Sequence, residues 1–499
     1  MDGFCTETAR MGRRRTNCGG GGPSPLRRSV NLSAALILAF AVAAVCAQKP
    51  PSEKRPAPGP QQPGSSAQVH AGTSSGLDTD TRLMNMLADH QFIRLEGELD
   101  ALPPWQAQYY RGILWNRNNN AKKSIELLEP LVDSISATGN VLREKVLRRA
   151  LAEDYLREGN WPKAAEQYQA IDSRLGSKLA SDESDEIEMP VKMVPLAKDH
   201  PAMTVDPGVP FVVTVTKNPL GLTDVPVFVD SHSQDWMFDP TLPFNLISRS
   251  HAREAGLKVS DESVIIHTLR GRTIKVHSTL VPRLTIGGQL TLHNMTAFVY
   301  EDKDYYFPQT RYQVEGALGY PAVEAMGSVT ITDINRLYVD TDKQESTVEK
   351  NDKLTAGVRF FLDGDQVILA LGGSSEFGPG RGTERMFAID AGGQQTYLTS
   401  RFYDEHTGDF ANQKMELFTL LGLPNMAPVP SYTAETVPLA VGKTTIQFHF
   451  MPVLTQPIGA AAVDDVYGVL GVDALDQLGS YTFDYRTMTF SIRLSEARD

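Results

Sequence analysis

Two aspartates, Asp239 and Asp390, occupy the same place in two matched stretches of the sequence. Each ends a short apolar run, and a Gly-x-Leu-Gly box follows each at nearly the same separation, at residues 316–319 and 468–471. A repeat that presents one carboxylate per copy can bring two carboxylates together, where they share one proton and activate a water. The pattern therefore predicts one acid–base site built from both copies with approximate twofold symmetry.

The residues around each aspartate predict the elements that must position it. From about Val194 onward, short runs alternate apolar and polar residues and are punctuated by Gly, Pro, Asn and Asp, which is typical of β structure. In each copy a strand delivers the aspartate, a tight turn and a second strand follow, and a short helix comes next. A charged stretch at 340–353 separates the copies, so we predict two mainly-β lobes of domain size, 194–345 and 353–499.

The duplicated pattern resembles the retropepsin-like family of aspartic proteases over residues 200–499. Members of that family place an Asp-Thr/Ser-Gly turn after an apolar strand and later close the site with an apolar-apolar-Gly box. The resemblance implies that Asp239 and Asp390 are the catalytic residues of an aspartic endopeptidase. The residues that it implies as support for the cleft and its turns are Pro240, Thr241, Ala391, Gly392, Leu318, Gly319, Leu470 and Gly471.

The same resemblance implies how such a site would work. One carboxylate acts as general base on a bound water while its protonated partner polarises the peptide carbonyl, so the substrate is a peptide or a protein. The lobes would pair within one chain, which predicts a monomer that contains an intramolecular pseudo-dimer. A β-hairpin flap covers the cleft in relatives, and the turn at Leu269, Arg270 and Gly271 is the candidate in the first lobe. No flap can be assigned in the second lobe from the sequence.

Both turns depart from the family pattern. Pro240 has neither the hydroxyl nor the N–H that lock the two turns to each other, and Thr241 stands where glycine is usual. The second turn keeps Gly392 but has Ala391 where the family has Thr or Ser, so it also lacks the linking hydroxyl. The sequence does not show that the Thr241 hydroxyl takes over this link. An alternative hypothesis is therefore a pseudoprotease that binds peptides or protein partners through the cleft, the helical region or both. A third hypothesis is a structural or assembly protein.

Residues 77–180 have a helical period and predict a separate domain. Two stretches within it match each other, with Gly112, Trp115, Ser124, Leu128 and Leu131 corresponding to Ala152, Tyr155, Ala164, Tyr168 and Ile171. Small residues in both stretches let paired helices approach. The second stretch resembles a tetratricopeptide repeat, which implies either a surface for a protein partner or a helical spacer. The predicted fold class is thus multidomain α and all-β: a helical-repeat segment, then two retropepsin-like lobes that form a pseudo-twofold bilobal unit.

The N-terminus predicts export. Basic residues precede an apolar run that ends in small residues, which is the order of a secretory signal peptide, at 1–47. A stretch rich in Pro, Gly and Ser at 48–76 predicts a disordered linker. The cysteines (Cys5, Cys18 and Cys46) all lie in the leader, so we expect an exported protein without disulfides. It would be periplasmic or extracellular, and anchored to a membrane if the leader stays attached.

Composition and motifs argue against other chemistry. The net charge of −12 at pH 7 disfavours nucleic acid or an anionic membrane as a partner. The ten histidines include no His-Glu-x-x-His pair and no cluster with metal-ligand spacing. The sequence also lacks a nucleophile elbow and a phosphate-binding loop. We therefore expect no cofactor and no metal.

Overall fold

The structure is a computed structural model, and it describes residues 75–206, 208, 210–267, 273–341, 355–364, 366–373, 384–420, 428–442, 444–458 and 465–493. The predicted leader (1–47) and the predicted flap tip (Leu269, Arg270, Gly271) lie outside these residues. Helix α1 begins at Ser75, inside the end of the predicted linker (48–76), so the linker prediction is wrong at that boundary.

Helices form the first part of the described chain. They are α1 (Ser75–Ala88), α2 (Phe92–Glu96), α3 (Pro104–Arg117), α4 (Ala121–Leu128), α5 (Val132–Thr138), α6 (Val141–Arg157), α7 (Trp161–Leu175) and α8 (Ser181–Met193). Short 3-10 turns lie at Leu99–Ala101, Glu129–Leu131, Gly176–Lys178 and Val194–Ala197. Asparagine side chains begin α4, α6 and α7, because each accepts the amide of the third helical residue and so satisfies a donor that the helix leaves unpaired.

The matched helical stretches form two helix pairs, α3 with α4 and α6 with α7. A Cβ built on Gly112 would lie 2.5 Å from Leu128 Cδ2, so the glycine permits the close approach of α3 and α4. In the second pair, Ala152 and Ala164 are fully buried, and Tyr168 is almost fully buried. Small residues therefore pack against large ones in both helix pairs, as the sequence predicts.

Residues 181–188 are acidic, a composition that predicts a linker, and this prediction is wrong because they belong to α8. The Glu183 carboxylate accepts the Ala180 amide at 3.0 Å, and acidic residues in the first turn also favour a helix electrostatically. Ile187 and Met193 are buried, which gives the helix an apolar contact that the acidic composition conceals.

The first β part contains fourteen described strands and two helices. The strands are β1 (Thr204–Val205), β2 (Phe211–Thr214), β3 (Thr216–Lys217), β4 (Thr223–Val229), β5 (His232–Phe238), β6 (Asn245–Ser248), β7 (Val259–His267), β8 (Thr273–Ile286), β9 (Leu290–Tyr300), β10 (Tyr306–Phe307), β11 (Tyr312–Gln313), β12 (Gly316–Leu318), β13 (Ser328–Ile331) and β14 (Arg336–Asp340). The helices are α9 (Arg249–Glu254), which the sequence predicts after β6, and α10 (Tyr320–Ala325). The main sheet has the strand order β1-β9-β6-β12-β5-β4-β8-β7.

The second β part follows the same general plan. Its described strands are β15 (Thr355–Asp363), β16 (Gln366–Gly373), β17 (Glu384–Ile389), β18 (Tyr397–Leu398), β19 (Glu416–Phe418), β20 (Val429–Val441), β21 (Thr444–Leu454), β22 (Gly468–Leu470), β23 (Tyr481–Asp484) and β24 (Thr489–Arg493). Its helices are α11 (Ser400–Glu405), again as predicted, and α12 (Val472–Gln477). Strand β13 of the first part pairs with β23 of the second, so one continuous sheet joins the two parts.

The strand that delivers each aspartate is placed identically in both parts. Strand β12 runs parallel to β5 and antiparallel to β6, and β22 runs parallel to β17 and antiparallel to β18. The box strand therefore lies between the aspartate strand and the strand that returns after the turn. This arrangement brings each Gly-x-Leu-Gly box directly beside its own aspartate.

The helical region packs on the β lobes. One buried apolar cluster lies within the lobes, and a second unites helical residues such as Tyr109 with lobe residues such as Phe298 and Phe361. The rings of Phe92 and Phe361 have centroids 5.0 Å apart. All described residues fall within one compact unit, Gly72–Asp499. No helix among them has the length and apolar character needed to cross a bilayer.

Candidate active site

Both aspartates are held by the same backbone contacts. The amides of Asp239 and Asp390 donate to the carbonyl oxygens of Leu318 and Leu470, each at 3.0 Å. Each aspartate carbonyl accepts the amide of the third residue after it, from Leu242 at 3.2 Å and from Gly393 at 3.1 Å. The two turns therefore fix the main chain of their aspartates in the same way.

The last glycine of each box approaches the returning strand closely. A Cβ on Gly319 would lie 2.3 Å from the Phe244 carbonyl oxygen, and one on Gly471 would lie 2.7 Å from the Gln395 carbonyl carbon. The predicted support role of these two glycines thus has a steric basis, since any side chain would push the box away from its aspartate strand.

Two polar side chains that the sequence interpretation missed hold these glycines. The Gly319 amide donates to Asn245 Oδ1 at 3.0 Å, and the Gly471 amide donates to Thr396 Oγ1 at 2.8 Å. Asn245 and Thr396 are both buried and both begin the return after the turn. They stand at the same offset after their aspartates in the sequence, so the repeat contains a signal for them.

Thr241 links the two turns. Its hydroxyl donates to Asp239 Oδ1 at 2.6 Å, and its amide donates to the same oxygen at 3.0 Å. The same hydroxyl accepts the Ala391 amide from the second turn at 3.3 Å. Thr241 therefore supplies, from the position usually held by glycine, a hydroxyl contact that Pro240 cannot make. The link is one-sided, because Pro240 has no N–H and Ala391 has no hydroxyl to form the reciprocal bond.

Gly392 lies beside both carboxylates. A Cβ built on it would lie 2.3 Å from Asp239 Oδ2 and 3.6 Å from Asp390 Oδ1. These two oxygens are therefore at most about 6 Å apart, a range over which two charged carboxylates repel each other. Asp239 is 5% exposed and Asp390 is partly exposed, so the first aspartate is more shielded from solvent than the second.

Tyr485 of the second lobe also holds the first turn. Its hydroxyl donates to the Pro240 carbonyl oxygen at 3.2 Å, and its ring packs against Tyr320 and Phe360. Burial raises the pKa of Tyr485 well above its usual range, and the negative charges of Glu324 and Asp239 add to the effect. The hydroxyl therefore keeps its proton and remains a donor to the turn.

Strands β7 and β8 form the hairpin that carries the predicted flap. His267 pairs with Thr273 at the edge of the described residues, beyond which lies the predicted tip. Helix α8 holds this hairpin, because the Glu188 carboxylate lies 2.9 Å from His267 Nδ1 and Lys192 donates to the Ile265 carbonyl oxygen at 3.1 Å. In the second lobe, β19 and β20 form a hairpin at the equivalent place. Residues 421–427 between them lie outside the described part.

The described part of the chain contains no group of three His, Cys, Asp or Glu residues arranged to hold a metal ion. His267 and His277 lie on β7 and β8. Both have partners within the fold, Glu188 for the first and the Ser260 carbonyl oxygen for the second. These contacts give both histidines a structural role.

Comparisons with known proteins bear on part of this site. The solved structure of basic 7S globulin from soybean is similar at 10% sequence identity and a TM-score of 0.34, over 59% of this chain and 98% of that chain. A search of curated proteins found no match. A family model described as aspartyl protease matches residues 225–322, which contain Asp239, Thr241 and the first box. This family match supports peptidase chemistry of the aspartic type.

Proposed function

We propose that the chain is an aspartic endopeptidase whose catalytic pair is Asp239 and Asp390. The observation that carries this proposal is the convergence of both carboxylates beside Gly392, together with the hydroxyl of Thr241 that ties the two turns together. Two carboxylates held in close contact can share one proton, because both cannot be charged at little cost. A pair in that state can act as base and acid in the same step, and its substrate is a peptide or a protein.

The reaction proceeds by addition of water and then loss of the amine. The charged carboxylate takes a proton from water as the water oxygen bonds to the peptide carbon, and the protonated carboxylate gives its proton to the carbonyl oxygen. The C–N bond then breaks as the nitrogen takes a proton from the protonated carboxylate, while a hydroxyl of the tetrahedral adduct gives its proton to the charged carboxylate. This releases a carboxylic acid and an amine and leaves one proton on the pair, as at the start. The backbone contacts of the two aspartates are the same, so neither role is assigned to one aspartate alone.

The matched pairings of β5 with β12 and of β17 with β22 support a tandem origin for the two lobes. We propose that residues 194–345 and 353–499 are retropepsin-like copies that form a pseudo-dimer within a monomer. The continuous sheet through β13 and β23 supports this arrangement, because it joins the lobes without a second chain.

The test is cleavage of a diverse peptide library by the full chain from about pH 3 to pH 7, with a transition-state-mimicking inhibitor in parallel. The proposal expects cleavage that the inhibitor abolishes. Peptide binding without any cleavage across this range would contradict it and establish the alternative, a pseudoprotease. The observation that favours this alternative is Pro240, because its missing N–H leaves the link between the turns one-sided.

The helical region and the leader carry two further proposals. The helix pairs α3–α4 and α6–α7 support a tetratricopeptide-like surface for a protein partner, and residues 1–47 would direct export. N-terminal sequencing of the protein released from an exporting host tests the second proposal. A released chain that begins near Gln48 agrees with it, and a chain retained inside the cell contradicts it.

A further inference from the structure

A cavity of about 240 Å³ lies between the helical region and the two lobes. Its apolar wall includes Leu156, Trp161, Tyr168, Met189, Phe244 and Phe298. Leu156 belongs to α6, Trp161 and Tyr168 to α7, and Met189 to α8. Helices that precede the lobes in the sequence therefore form part of the wall of this cavity.

The cavity reaches the neighbours of both candidate catalytic residues. Thr241 lines it, and the Thr241 hydroxyl contacts Asp239. Val367 also lines it, and this residue pairs across the sheet with Ile389, which directly precedes Asp390. The cavity therefore lies next to the backbone segments that carry both aspartates.

Size and chemistry restrict what the cavity can hold. Pockets that enclose a whole drug-sized ligand measure about 300–1,000 Å³, so this one suits a single large side chain rather than an entire ligand. Two arginines that line it already have partners: Arg149 pairs with Glu153 at 3.0 Å, and Arg157 pairs with Asp154 at 3.1 Å. An apolar or aromatic side chain fits such a wall, and a charged one would need to disturb these pairs.

We propose that the helical region forms part of the substrate site, where Trp161, Tyr168 and Met189 select a large apolar side chain beside the scissile bond. This inference rests on the proposed function and gives the helices a role in specificity rather than only in partner binding. The α8 contacts to β7 keep this wall in place, since Glu188 and Lys192 tie the helix to the flap hairpin.

The test measures peptide binding separately from turnover. Full-length chain with Asp390→Asn is titrated with two fluorescent peptides that differ only in having Phe or Ala beside the intended cleavage position. The proposal expects the Phe peptide to bind about tenfold or more tightly, as expected for a large side chain in an apolar pocket. Trp161→Ala should lower this preference severalfold, whereas Trp105→Ala, at an exposed tryptophan of α3, should leave it unchanged.

A second variant guards against loss of folding in the first. Met189→Trp fills the cavity instead of enlarging it, so it should reverse the preference toward the smaller side chain. Equal binding of both peptides to the parent, no binding, or an unchanged preference in both variants would overturn the inference. If the proposed function fails, the result is different. The unsubstituted chain would then cleave neither peptide, but it would still bind the Phe peptide more tightly, and Trp161→Ala would still weaken that preference.

Discussion

The two aspartate turns share one backbone and differ in the side chains that secure it. Asp239 is buried, accepts two bonds from Thr241, and lies in a turn that Tyr485 holds from the other lobe. Asp390 is partly exposed and is followed by Ala391, whose side chain has no hydrogen-bonding group. The comparison shows that a hydroxyl two residues after one aspartate, rather than one, can connect both turns. The second turn makes no matching hydroxyl bond in return.

The largest expected effect comes from the carboxylates themselves. Asp239→Asn and Asp390→Asn should each lower kcat/KM by on the order of 10²–10⁴ or more, because acid–base catalysis by the pair needs both groups. The double variant should be little worse than either single one, since the residues act as a unit. Asp235→Asn, at an exposed residue of β5, is the control and should keep full activity. A single variant that keeps full activity contradicts the symmetric role of the pair.

The next effect tests the space between the turns. Gly392→Ala would place a methyl group 2.3 Å from Asp239 Oδ2, so the carboxylate must move. We expect a loss of about 100-fold in kcat, which is typical of a displacement near 1 Å in a catalytic group. Gly408→Ala, where a Cβ meets nothing within 4 Å, serves as the control. Normal activity of Gly392→Ala would show that the carboxylates do not converge there.

A smaller effect tests the link through Thr241. Thr241→Val removes the hydroxyl and leaves the buried Ala391 amide without that acceptor, which costs about 1–3 kcal/mol in unfolding free energy. We also expect kcat to fall by roughly tenfold, since Asp239 loses one of the bonds that orient it. Thr241→Ser keeps the hydroxyl and should retain most activity. Equal kcat and equal unfolding free energy in the valine and serine variants would show that the hydroxyl does not link the turns.

The smallest effect concerns the contact made only by the first turn. Tyr485→Phe deletes the bond to the Pro240 carbonyl oxygen and should lower the unfolding free energy by about 1 kcal/mol in chemical denaturation. Tyr481→Phe, at another buried tyrosine of the second lobe, is the matched control. If Tyr485→Phe lowers the unfolding free energy no more than the control does, the first turn does not depend on this hydrogen bond.

The sequence predicted much of the architecture around the site because the repeat preserves its landmarks. The aspartate strands, the boxes beside them and the short helices α9 and α11 follow from local apolar patterns and glycine positions. The contact between Thr241 and Ala391 could not be predicted, since it depends on how two turns distant in sequence meet in space. Asn245 and Thr396 were within reach, because the repeat places both at one offset from their aspartates.

The helical region shows a second limit of sequence patterns. Acidic composition hid helix α8, whose buried Ile187 and Met193 are too sparse to show a clear period. The packing of α6, α7 and α8 around the cavity joins residues far apart in the chain, so no local pattern reports it. The role proposed for Trp161 and Met189 therefore could come only from the structure.

A matched pair of inhibitors tests whether both carboxylates act on one water-sized position. The affinity of a peptide mimic with a hydroxyl in place of the attacking water is compared with that of the same mimic without the hydroxyl. The hydroxyl should tighten binding to the unmodified chain by at least about 100-fold, as expected for a transition-state mimic. This gain in affinity should disappear in both Asp239→Asn and Asp390→Asn. Equal affinity of the two mimics for the unmodified chain would contradict a working pair.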